Sequence, residues 1–137
     1  MTPRLLYWAC RLFLGGIFVY AGITKLANPL QFSAAMEGYR ILSPEGVIWF
    51  TGIIPWLEII LGMGLFCGLW VRCFAASAGL LLFLFLLIMG ATYLRGIEAD
   101  CGCFGVGEKI SALTLIRDTL FILPAVYLSL RSGNRPR

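Results

Sequence analysis

Apolar residues along this chain gather into four runs, about Leu5 to Thr24, Val47 to Leu69, Phe74 to Tyr93 and Ile110 to Leu130, separated by short polar segments. Each is roughly 20 residues, the length a helix rising 1.5 Å per residue needs to cross about 30 Å of hydrocarbon. The pattern predicts an all-α membrane protein, a four-transmembrane-helix bundle in which residues 1–137 form a single domain. The third run carries no charge, whereas the others each hold one or two ionisable side chains that must face protein or water rather than lipid. The first run exceeds the apolar core of a signal peptide, about 7–15 residues, and is not followed by a typical cleavage site, so it reads as a retained helix.

The connections add detail. A very short turn around Trp70 to Arg72 makes the second and third helices antiparallel neighbours. The longer loop from Asn28 to Gly46 mixes Phe32, Met36 and Tyr39 with charges, which suits a short interfacial helix covering the mouth of the bundle. Helix contacts are expected at small residues, because lipid provides no hydrophobic drive for association; Gly64 with Gly68, and Ala75 with Gly79, form such faces.

In the first helix, Arg11, Gly15, Phe18, Gly22 and Lys25 follow at spacings of four, three, four and three, so one stripe carries all five into the bundle. An arginine about two turns inside an apolar helix needs a partner, and Glu58 in the second helix offers one. Pro55, three residues earlier, leaves the Thr51 carbonyl without its usual donor and gathers polarity at that depth. In the fourth helix the consecutive Arg117 and Asp118 point about 100° apart. Arg117 is expected to turn toward Glu58 or the loop at Cys101, and Asp118 to pair with Lys25 or Arg11. The same charges also read as a buried network that only fixes helix packing.

Composition agrees with a bilayer environment: 60% of residues are hydrophobic and 13% charged, and the mean hydropathy is +0.89. With four spans, Arg4, Arg72, Arg131, Arg135 and Arg137 fall on one side, and Lys25, Arg40, Arg95 and Lys109 on the other, diluted there by acids. The arginine cluster at the C-terminus orients both termini to the cytoplasm. That bias accounts for most of the net charge of +4, so no nucleic-acid partner is implied.

This orientation puts Cys101 and Cys103 on the oxidising side, while Cys10, Cys67 and Cys73 lie near cytoplasmic helix ends and read as small apolar residues. In the loop Asp100-Cys101-Gly102-Cys103-Phe104-Gly105 a bridge between the two thiols would close a small, strained ring that the intervening glycine permits. Such a disulfide is labile and oxidising rather than a staple. Arg95, Lys109 or Arg117 could stabilise a thiolate there. The two thiolates also suit a soft metal, Cu(I) or Zn with Glu98, Asp100 or Glu108, although no resident metal is assigned. Without histidine, His-ligated haem is excluded, no covalently bound cofactor is expected, and the electron acceptor would be a diffusible quinone or another protein's thiols.

Together the Arg11-x-x-x-Gly15 to Gly22-x-x-Lys25 stripe, the Pro55-x-x-Glu58-x-x-x-Gly62 segment, the cysteine loop and Arg117-Asp118 resemble the MauE branch of the DoxX-like membrane proteins. The resemblance covers nearly the whole chain. It implies a four-helix protein of the bacterial inner membrane, linked to methylamine utilisation and to production of the disulfide-rich small subunit of methylamine dehydrogenase. Other DoxX-like proteins are associated with quinone-coupled sulfur or thiol oxidation. The leading expectation is therefore a thiol–disulfide oxidoreductase, or a subunit of one, with Cys101 and Cys103 as its reactive pair and a periplasmic thioredoxin-like or disulfide-rich client. Arg11, Lys25, Glu58, Arg117 and Asp118 would position a quinone or move protons, by analogy with DsbB-type enzymes. Transport of a soft metal or small solute, and a non-catalytic assembly factor, are the alternatives.

Overall fold

The computed structural model describes residues 2–99 and 109–132. Its order is α1 (Pro3–Ala27), α2 (Pro29–Gly38), α3 (Pro44–Cys67), α4 (Val71–Leu94) and α5 (Ala112–Ser132), with no β-strand among the described residues. α1, α3, α4 and α5 are each long and apolar enough to cross a membrane.

Local chemistry sets the helix ends. Thr2 caps α1 ahead of Pro3 and accepts from the Leu5 amide at 3.4 Å. At the far end, Pro29 pushes Asn28 out of helical geometry (φ −131°, ψ 65°), so α1 stops at Ala27 and α2 starts afresh. Ser43 and Pro44 repeat the entry motif at α3, where Ser43 accepts from Gly46 N at 3.2 Å. The second run, expected to reach Leu69, ends at Cys67 because Gly68 adopts a left-handed φ of 76° and closes the helix by donating its N–H to the Gly64 carbonyl. α5 begins two residues later than expected, at a reciprocal cap: Thr114 N donates to Ser111 Oγ at 3.3 Å, and Ser111 N to Thr114 Oγ1 at 2.9 Å.

α1 and α3 approach most closely, along glycines. A Cβ added at Gly62 would meet the Gly15 carbonyl at 2.7 Å, and one at Gly22 would meet the Pro55 carbonyl at 2.7 Å. α4 and α5 join through Ala75, Ala78 and Gly79 against Ala125, so the expected Ala75/Gly79 face is used. Gly64 and Gly68 act separately: Gly64 receives the Phe74 ring, and Gly68 leaves room for the Arg11 guanidinium.

Two apolar cores result. One, near the chain termini, includes Tyr7, Leu14, Phe18, Leu61, Leu65 and Leu128. The other lies toward α2 and contains Phe32, Met36, Tyr39, Val47, Phe85 and Met89. α2 buries Phe32, Ala35 and Met36 in this second core, so it roofs the bundle as the sequence suggested. Arg95 at the end of α4 donates to the Tyr39 carbonyl at 3.3 Å and ties that roof down.

Candidate functional site

Between the two cores lies a layer of charge. Lys25, in the last turn of α1, is 4% exposed, Glu58 5% and Asp118 3%. Lys25 Nζ donates to Glu58 Oε1 at 2.5 Å. All three side chains line one cavity of about 30 Å³, whose apolar walls include Phe18, Ala21, Leu82 and Phe85. The ammonium also lies 5.2 Å from the ring centres of both Phe32 and Phe85. Those rings shield it from solvent and offer their negative faces to the cation.

The predicted stripe is confirmed in full: Arg11, Gly15, Phe18, Gly22 and Lys25 are all buried. Its partners differ from expectation. Arg11 does not reach Glu58, because Arg11 and Lys25 stand about 21 Å apart along α1. Arg11 instead donates Nε to the Leu65 carbonyl at 2.5 Å and Nη2 to the Phe66 carbonyl at 2.9 Å. Carbonyls in the last turn of a helix lack intrahelical donors and lie at the negative end of its dipole, so a buried guanidinium is well matched there. Its Cζ also stacks 4.5 Å from the centre of the Trp8 ring. Arg11 thus docks α1 onto the end of α3 and is not brought to the Lys25–Glu58 cavity.

Arg117 and Asp118 touch each other: Arg117 Nε donates to Asp118 Oδ1 at 3.2 Å, with the Arg117 side chain 29% exposed and that of Asp118 4%. The loop at Cys101, one of the partners expected for Arg117, lies outside the described residues. Asp118 does face the cavity that holds Lys25, as its predicted pairing required.

Cys101 and Cys103 lie outside the described residues, as do Asp100, Phe104, Gly105 and Glu108. The base of their loop is defined. Ile110 N donates to the Ala99 carbonyl at 3.0 Å, and Ala99 is buried in the core that contains Phe32 and Phe85. An exposed pair, Lys109 with Glu98 at 3.6 Å, flanks this closure. The loop therefore springs from the apolar layer immediately above the charged cavity. Cys10 packs partly buried against the other core, while Cys67 and Cys73 are exposed, and all three are free thiols.

A second cavity, of about 200 Å³, was not anticipated. It lies between α3 and α4 beneath the α2–α3 connection, with wholly apolar walls that include Met36, Tyr39, Ile54 and Phe85. Its rim carries Ile41 and Phe50, both exposed. Phe85 borders both cavities, a role no signal in its uninterrupted apolar run could mark.

The chain matches the family described as Methylamine utilisation protein MauE over residues 3–131. Among curated relatives, the Methylamine utilization protein MauE of Paracoccus denitrificans is 29% identical over 136 residues, covering 97% of this chain and 72% of that protein. The protein of the same name from Paracoccus versutus is 29% identical over 92% of this chain and 69% of its own length. That from Methylorubrum extorquens is 31% identical, over 87% and 66%. No solved structure matches. With bacterial relatives and four membrane-spanning helices, this is a multi-pass bacterial membrane protein.

Proposed function

The chain belongs to the MauE family, and from that premise we propose that it is a membrane thiol–disulfide redox protein serving methylamine utilisation, working through Cys101 and Cys103. Both termini face the cytoplasm in this reading, which puts the cysteine loop on the oxidising side. A periplasmic client, thioredoxin-like or disulfide-rich, supplies a dithiol. One client thiolate attacks the Cys101–Cys103 bridge to form a mixed disulfide, and the second client thiol resolves it. The client leaves oxidised, and Cys101 and Cys103 are left as two thiols. Reoxidation of that pair releases two electrons and two protons, which a membrane quinone would accept to become the quinol.

The observation that carries this reading is the anchoring of the loop. Its base, Ala99 and Ile110, belongs to the layer containing Phe32 and Phe85, and those two rings flank Lys25. In this reading the thiol chemistry of the loop is coupled to those buried acid–base groups. Of the two cavities that Phe85 borders, the larger suits a lipophilic acceptor. The charged cavity, about 30 Å³, is too small for a ring, whereas the apolar cavity of about 200 Å³ behind Phe85 has room for one and opens beside the exposed Ile41 and Phe50. Lys25, Glu58 and Asp118 lie across Phe85 from that space, with Arg117 on Asp118.

Alkylation trapping tests the proposal. The chain, reconstituted in lipid, is reduced, exposed to a soluble quinone analogue, acid-quenched and labelled. Cys101 and Cys103 are expected to become resistant to labelling within the exposure, and Cys101→Ser or Cys103→Ser to leave client thiols unoxidised. Thiols that stay reduced, with client disulfides intact in the serine variants, overturn it. Stoichiometric Cu(I) binding that is lost in the double serine variant would favour transport instead.

A further inference from the structure

Glu58 is only half satisfied. Its Oε1 accepts from Lys25, but Oε2, equally buried, has no hydrogen-bond partner among the described residues. A buried carboxylate oxygen without a donor is costly, and native structures resolve such cases with water or a proton. The adjoining space suits the first. Its volume of about 30 Å³ exceeds the roughly 10–15 Å³ a water requires, and a water also needs two to four polar neighbours. Glu58, Asp118 and Lys25 are those neighbours.

We propose that this cavity binds one water that donates to Glu58 Oε2 and links it to Asp118, making the two carboxyl groups a buried proton-exchange site. A proton carried by Asp118 passes to the water as the water gives one of its own to Glu58 Oε2. The water is regenerated, no electron moves, and one proton has crossed from α5 to α3. The charged groups around the site are Lys25 from α1, Glu58 from α3, and Asp118 with Arg117 from α5. α4 contributes only Leu82 and Phe85, and α2 presents the Phe32 ring. With all four ionised the layer is neutral; the transferring proton adds one positive charge, which moves from Asp118 to Glu58 while the total stays the same. The site needs neither cysteine, and it stands or falls independently of the thiol chemistry.

Infrared difference spectroscopy on the full chain in lipid bilayers tests it. A step in pH is expected to produce a protonated-carboxyl band that moves on transfer to D2O, disappears in Glu58→Gln and shifts in Asp118→Asn. A water O–D stretch sensitive to H2-18O should accompany it. Ala21→Val fills the cavity while leaving every charge in place, and should remove the water stretch and slow the carboxyl exchange at least tenfold. A carboxyl band unchanged by Glu58→Gln, a band that fails to exchange in D2O, or a water stretch that survives Ala21→Val overturns the proposal. So does a response to Na⁺ at constant pH in place of the response to pH, since that would make the cavity a cation site.

Discussion

Replacing Lys25 with methionine tests whether the buried pair is a coupled unit. The two side chains are 3% and 6% exposed, and Lys25 Nζ is the one donor that Glu58 has among the described residues. Removing one member of a buried pair leaves an uncompensated charge, which costs about 3–5 kcal/mol. Two features push Lys25→Met toward the top of that range: Glu58 Oε2 is already without a partner, and Asp118 faces the same cavity. The rings of Phe32 and Phe85 change the figure little. They lose a cation worth about 0.5–2 kcal/mol but keep a thioether that packs well on aromatic edges. Glu58→Gln retains an acceptor for Lys25 and is expected to cost less, about 1–3 kcal/mol. The informative variant is Lys25→Met combined with Glu58→Leu, which removes both charges and fills the space with apolar atoms. It should be more stable than Lys25→Met alone, with a coupling energy on the order of 3 kcal/mol. Reversible unfolding in mixed micelles, titrated with denaturing detergent, measures all four corners of the cycle. Additivity within about 0.5 kcal/mol, or a Lys25→Met variant that loses less than about 1 kcal/mol, would refute the coupled pair.

The glycine seam and the arginine dock make separate predictions. Gly22→Ala drives a Cβ to within 2.5 Å of Ile59 and 2.7 Å of the Pro55 carbonyl, so α1 must move off α3 at a cost of about 1–3 kcal/mol. Gly16→Ala meets its nearest neighbour at 3.9 Å and should instead gain up to about 1 kcal/mol from helix propensity; equal melting temperatures for the two variants would exclude a packing role for the seam. Arg11→Met forfeits two charge-assisted bonds to the end of α3 and should destabilise by about 2–4 kcal/mol. Arg11→Lys, which cannot reproduce the fork or the stacking on Trp8, should fall between that variant and the wild type in the same unfolding titration.

The positions of these residues show why some of the site was readable in the sequence and some was not. Periodicity reports which face of a helix a residue occupies, and the five-residue stripe on α1 was buried as its spacing required. Periodicity does not report depth relative to another helix. Arg11 and Lys25 share a face, and the spacing alone assigned Glu58 to Arg11, whereas the structure pairs it with Lys25. The choice was made by where α1 ends, and the end was itself legible in Asn28-Pro29. Stopping there, α1 delivers its last-turn lysine to the depth of Glu58, while α3 runs on past it toward Pro44 and leaves the space that α2 fills with Phe32 and Met36. Phe85 had no such signal, because an all-apolar helix has no contrast from which a face can be read. The charged layer is thus a consequence of helix length. A chain in which α1 continued through Asn28 would carry Lys25 on the same stripe, but α2 could no longer fold back over it, and the ammonium would lose the Phe32 wall that keeps the layer closed.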